Sequence, residues 1–186
     1  MAWINHPTIK HDFRSIDAIS PFSTANYNQC LDFGGGGAIV NSNMNDSNYL
    51  LTATVAAITS SGGVETGDYG LLGRTDSTGN FYYLWIKSTS SVFQIAIYRY
   101  NAIMDTFLAL TFSSSIPLSF FNVLRNIQFR LNGTSLKGYV DSIEYVSTTD
   151  ATLSSGKAGI ASSLIFASGS VYAPNILMDN LTFSVL

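Results

Sequence analysis

Phe81-Tyr82-Tyr83-Leu84-Trp85-Ile86-Lys87, then Ser88-Thr89-Ser90-Ser91, then Val92-Phe93-Gln94-Ile95-Ala96-Ile97-Tyr98-Arg99-Tyr100, are two alternating runs joined by small polar residues. Period-two alternation of large apolar and aromatic residues marks strands, and the polar joint marks a hairpin. With Lys87 opposite Val92, Ile86 faces Phe93, Leu84 faces Ile95 and Tyr82 faces Ile97. These residues make one continuous apolar face for a core. The other face then carries Phe81, Tyr83, Trp85, Gln94, Ala96, Tyr98 and Tyr100, a row of aromatics without a charge. Such a surface is rarely left to water.

Working outward, the same alternation recurs in short runs separated by Ser, Thr, Gly, Asn and Asp. Strands are expected at Ala38–Val40, Tyr49–Thr59, Tyr69–Thr75, Thr106–Phe112, Asn126–Leu131, Ser135–Asp141, Ile143–Val146, Lys157–Ala161, Leu164–Phe166 and Asn175–Val185. Gly62-Gly63, Asp76–Asn80 and Asn132-Gly133 supply the turn chemistry between them. The Asn132-Gly133 turn joins inward Ile127, Phe129 and Leu131 to inward Leu136, Gly138 and Val140, with Gln128, Arg130, Lys137 and Asp141 on the wet side. Val55, Ala57, Leu181, Phe183 and Val185 are further expected core. About a dozen short strands with no sustained helical period predict an all-β, antiparallel two-sheet jelly-roll sandwich. Residues 1–20, bracketed by Pro7 and Pro21, form an N-terminal arm or the first strand, and residues 21–186 a single jelly-roll domain.

The chain has 186 residues, 46% hydrophobic and 11% charged, with a net charge of −3. The charged fraction is less than half of the roughly 25% typical of globular domains. Nine scattered basic residues give no footprint for a phosphate backbone, so neither nucleic acid nor an anionic membrane is an expected partner. Mean hydropathy is +0.22, yet no apolar run approaches the roughly 18 residues of a spanning helix. The surplus must enter a core or an interface. So few charges also predict a homo-oligomer. Met1–Pro7 has neither a basic nor an apolar leader pattern, which predicts synthesis in the cytoplasm without a signal peptide. Under that expectation the Asn-x-Ser/Thr matches at Asn45, Asn132 and Asn180 carry no weight.

Several segments resemble the concanavalin A-like lectin/glucanase jelly rolls of the laminin-G type. They are His11-Asp12-Phe13-Arg14-Ser15-Ile16-Asp17, Gly70–Arg74 with Asn80–Leu84, Phe129–Asp141, Ser147–Ile160 and Asp179–Phe183. The resemblance covers residues 11–186. It implies a sandwich whose family members bind polysaccharide, bind protein, cleave glycosidic bonds or serve as structural modules of secreted and bacteriophage virion proteins. Fold alone does not choose among these.

The chemistry-bearing residues narrow the choice. Glycoside hydrolysis needs two carboxylates flanking the bond. The only glutamates, Glu65 and Glu144, are far apart, the glucanase Glu-x-Asp-x-x-Glu pattern is absent, and Asp68, Asp76, Asp141 and Asp150 sit in turn contexts. His6 and His11 cluster near the amino terminus, Cys30 lies among apolar neighbours as an inert thiol, and together they show no zinc spacing. Gly34–Gly37 lacks the Lys-Ser/Thr of a phosphate loop. Asn41–Asn48 is rich in oxygen but holds one carboxylate, so it reads as a turn rather than a calcium site. No catalytic residue, metal or cofactor is expected. The binding candidates are Tyr83, Trp85, Tyr98 and Tyr100 on the aromatic face, which is either the second buried side of a strand, a protein contact or a sugar platform, with Trp3 and Ile4 as a docking arm. The expectation is a non-catalytic module in a protein assembly. A bacteriophage capsid decoration (cement) or fibre protein located in the virion comes first, a carbohydrate-binding module taking polysaccharide second, and a glycosidase third.

Overall fold

The computed structural model describes residues 3–5, 14–16, 30–32, 37–41, 45–58, 67–88, 92–118, 123–162 and 175–186. Among them the chain forms fourteen strands: β1 (Trp3–Asn5), β2 (Arg14–Ile16), β3 (Cys30–Asp32), β4 (Gly37–Asn41), β5 (Tyr49–Ile58), β6 (Gly67–Thr75), β7 (Phe81–Ser88), β8 (Phe93–Asn101), β9 (Thr106–Phe112), β10 (Arg125–Asn132), β11 (Ser135–Val140), β12 (Ile143–Thr149), β13 (Lys157–Ser162) and β14 (Asn175–Val185). They make two antiparallel seven-stranded sheets. The first runs β1-β4-β13-β6-β7-β8-β9, the second β12-β11-β10-β5-β14-β3-β2. This is the all-β jelly-roll sandwich that the alternation predicts. Residues 3–5 and 14–16 each add a strand, one to each sheet. The expected strand Leu164–Phe166, the Gly62-Gly63 turn, both histidines and Gly34–Gly36 lie outside the described residues.

Alternation explains the core. Tyr49, Leu51, Ala53 and Val55 of β5, Ile127, Phe129 and Leu131 of β10, and Leu136 and Val140 of β11 point inward from the second sheet. They meet Tyr69, Leu71, Tyr82, Leu84, Ile86, Ile95 and Ile97 of the first, and all are buried. Each such large side chain contributes about 1.5–3 kcal/mol by leaving water. Leu181 and Phe183 pack half-buried against this core. Val185 pairs with Tyr49 but sits at the end of the sheet, 66% exposed, so its expected core role is not fulfilled. The side chain of Ala57 lies outside the described residues.

The β7–β8 hairpin forms, with a register two residues from the expected one. Ile86 pairs with Ile95, Leu84 with Ile97 and Tyr82 with Arg99. Val92 stands outside the strand, and Phe93 exchanges backbone hydrogen bonds with Ile116. An even shift preserves which face each side chain takes, so the two-faced reading survives the change. In the β10–β11 hairpin Asn132 pairs with Ser135. The two loop residues are therefore Gly133 and Thr134, one step beyond the expected pair. Gly133 has φ +57°, positive at the first loop position as a type II′ turn requires. Gln128 and Lys137 are half-buried and Arg130 and Asp141 exposed on the opposite face, as the pattern predicts.

One end of the sandwich is locked by polar groups. Arg74, buried and at φ +51°, donates to the carbonyls of Ser47 (2.5 and 3.0 Å) and Leu153 (2.9 Å). Its own N–H donates to the Tyr49 hydroxyl at 2.6 Å. Tyr82 donates to Asp150 Oδ1 at 2.7 Å and accepts from the Leu153 N–H at 3.0 Å. Burial first, then the bond to Asp150, pushes the Tyr82 hydroxyl up to about 12. Arg99 completes the clamp with an ion pair to Asp150 at 2.6 Å.

Candidate functional site: an aromatic shelf

The face of the first sheet turned away from the second carries three cross-strand rows. Phe81 pairs with Tyr100 and Tyr100 with Phe107. Tyr83 pairs with Tyr98 and Tyr98 with Ala109, and Trp85 pairs with Ala96 and Ala96 with Phe112. Three strands of period two thus place all these side chains on one side. A bulge between Ile97 and Tyr98 on β8, where Leu110 of β9 is skipped, keeps Phe112 on that side. The rings touch in a continuous network. Phe81 stacks on Tyr100 at 4.8 Å, and Phe107 lies 4.7 Å from Tyr100 and 6.2 Å from Tyr98. Trp85 lies 5.8 Å from Tyr98, edge to face, and 5.9 Å from Phe112. Such offset and T-shaped contacts are the favoured aromatic geometries.

Exposure rises across the strands. Phe81, Tyr83 and Trp85 on β7 are buried, as is Tyr100, and with Leu72, Ala96 and Ala161 they form a second hydrophobic cluster. Tyr98 and Phe107 are half-buried, and Phe112 is 51% exposed. The structure therefore brings Tyr83, Trp85, Tyr98 and Tyr100 together. It uses Tyr83, Trp85 and Tyr100 as core, the burial alternative of the sequence reading, so a ligand could meet only Tyr98 among the four. Trp3 and Ile4 belong to β1, paired with Asn41 and Val40. They sit at the opposite edge of the sheet and do not join this face's open end.

Phe107 and Phe112 complete the shelf and were not singled out from the sequence. Their signal was present: Thr106–Phe112 alternates, and β9 needed only to be placed beside β8. Polar groups border the open end. Gln94 Nε2 lies 3.5 Å from Ser115 Oγ, and Lys87 pairs with Gln94 in the row beyond Trp85. At the other end the Tyr100 hydroxyl donates to Asp105 at 2.8 Å.

The carboxylates are engaged elsewhere. Asp76 accepts from Thr78 and Asn80, Asp141 from Arg125 and the Asn126 N–H, and Glu144 from Lys137 at 2.9 Å. The hydrogen bond from Lys137 holds Glu144 below its ordinary range. Among the described residues no group of three His, Cys, Asp or Glu side chains could hold a metal ion.

No protein-family model matches the chain, and no curated protein sequence matches it. Solved structures do match in fold. The carbohydrate-binding module CBM66 from Bacillus subtilis superposes with TM-score 0.67 at 14% identity, over 98% of this chain and 94% of that one. The exoplasmic/lumenal domain of VIP36, in its Ca²⁺/Man3GlcNAc-bound form, gives 0.63 at 14% identity over 99% and 88%. A Bacteroides ovatus mixed linkage glucan GH16 protein in complex with a product gives 0.57 at 9% identity over 84% and 81%. The fold is thus the jelly roll shared by lectin-like modules and GH16 sandwiches, a broader grouping than the laminin-G type that the segments resembled.

Proposed function

We propose that the chain is a non-catalytic carbohydrate-binding module that lays the flat apolar face of a sugar on Tyr98, Phe107 and Phe112. The observation that carries this reading is the gradient of exposure along one aromatic network. Rings locked in the second core hold the rim rings in place before any ligand arrives, and preorganisation of that kind lowers the cost of binding. Gln94 and Ser115 offer hydrogen bonds beside Phe112, the combination of a ring face and a few polar groups that a sugar needs. The likeness to CBM66 and VIP36 supports carbohydrate over the capsid-decoration and virion expectation, which rests on sequence features alone. The engagement of Asp76, Asp141, Asp150 and Glu144 in structural bonds supports the non-catalytic part, because glycoside cleavage needs two carboxylates at the bond.

The test is retention of the purified chain on a panel of soluble and insoluble polysaccharides. The double change Phe112→Ala with Tyr98→Ala is expected to weaken retention at least tenfold while the far-ultraviolet circular dichroism stays unchanged. Trp85→Ala is unsuitable as a binding variant, since emptying so large a buried site costs about 3–5 kcal/mol. Failure to bind any member of the panel, or release of reducing sugar from one of them, would overturn the proposal.

A further inference from the structure

We infer that the outer edge of β9 is the place where a second copy of this chain adds, antiparallel, to extend the first sheet. β9 ends that sheet, and among the described residues no strand pairs with its far side. A free edge presents unpaired N–H and C=O groups, which proteins normally guard with lysine, proline or other charges. Thr106-Phe107-Leu108-Ala109-Leu110-Thr111-Phe112 has none of these. The edge strand stacked beside it in the second sheet, β12, carries Glu144 in an ion pair with Lys137.

The apolar side chains along the same edge point to burial. Ile103 is 85% exposed, Met104 71%, and Leu108 and Phe112 51% each. Ile103 and Met104 stand on a turn that is built, not loose. Asn101 Oδ1 accepts from both their N–H groups, at 3.0 and 3.1 Å, and Asn80 Oδ1 accepts from the Ala102 N–H at 2.9 Å.

Free backbone groups in this pattern require an extended strand as occupant, and the sequence of β9 supplies one that fits. Read in either direction from Ala109 it gives leucine, then threonine or phenylalanine, then phenylalanine or threonine. A two-fold axis through Ala109 therefore sets Leu108 against Leu110, Phe107 against Thr111 and Thr106 against Phe112, with no charge opposed to another. This is the self-complementary contact of an isologous dimer. The bulge at Leu110 twists β9 but leaves it extended to Phe112. The same register carries the Ile103-Met104 turn of each copy past Phe112 of the other. Because the addition is at the edge, both aromatic shelves keep their open faces.

Ala109 is exposed, so it takes a charge without disturbing the monomer, and like charges directly opposite each other destabilise a strand pair. Sedimentation of the full chain across a wide concentration range is expected to show a dimer. Ala109→Lys alone and Ala109→Glu alone are each expected to halve the molar mass, and an equal mixture of the two variants to restore it. A wild-type chain that stays monomeric, charged variants that still dimerise, or a mixture that fails to recover the dimer would each overturn the inference. None of these readings involves polysaccharide, so their failure is separate from failure of the carbohydrate proposal.

Discussion

Asp150 ties the segment between β12 and β13 to the end of the sandwich by accepting from several directions. Burial raises its pKa, but hydrogen bonds from Tyr82 and from the side chain and N–H of Thr152, with the charge of Arg99, outweigh burial, so the carboxyl lies below its ordinary 3.8. A folded value depressed below the unfolded one adds stability that is complete above the unfolded pKa and disappears as pH falls through the folded value. The unfolding midpoint is therefore expected to drop below pH 4 more steeply in the native chain than in Asp150→Asn, measured by urea titration at a series of pH values. The turn contexts of Asp76, Asp141 and Asp150 were legible in the sequence, and each indeed accepts a backbone N–H. The partners Tyr82 and Arg99 were not, because they stand 68 and 51 residues away and nothing local marks which strand ends meet. Arg74 was invisible for another reason: a buried arginine satisfied by carbonyls leaves no acidic residue to look for.

At the scale of the strand, close approach decides more than alternation does. A Cβ on Gly70 of β6 would lie 1.7 Å from the Leu84 carbonyl oxygen of β7 and 3.0 Å from the Tyr83 ring. The bare backbone there lets Tyr83 lie over β6. Gly70→Ala meets main chain, which cannot step aside as a side-chain tip does. It is expected to cost about 3 kcal/mol, the upper end for overpacking, seen as a lower denaturant midpoint with the two-sheet circular dichroism retained. Faces were readable strand by strand because period two is local. The β7–β8 register was not fixed by the same pattern, since a two-residue slip buries an equally apolar set. Phe107 and Phe112 escaped notice because a site made of three strands becomes visible only when the strands are laid side by side.

For the whole molecule, the class followed from short alternating runs without helical period, whereas the order of strands did not. The neighbours β4, β13 and β6, or β5 and β14, are distant in sequence, and such pairing is set by how two sheets close over one core. The surplus hydrophobicity that composition revealed proves to have two destinations: the layer between the sheets and the second cluster behind β7. β7 is therefore packed on both faces and hydrogen-bonded on both edges, by β6 and β8. In hydrogen-exchange measurements its amides from Tyr83 to Ile86 should be the last to acquire deuterium, with an opening free energy equal to that of global unfolding. Faster exchange there than in β10 would contradict this. A ribbon enclosed on four sides sets the kinetic clock of the protein: proteases and denaturants reach it only after everything around it has come apart.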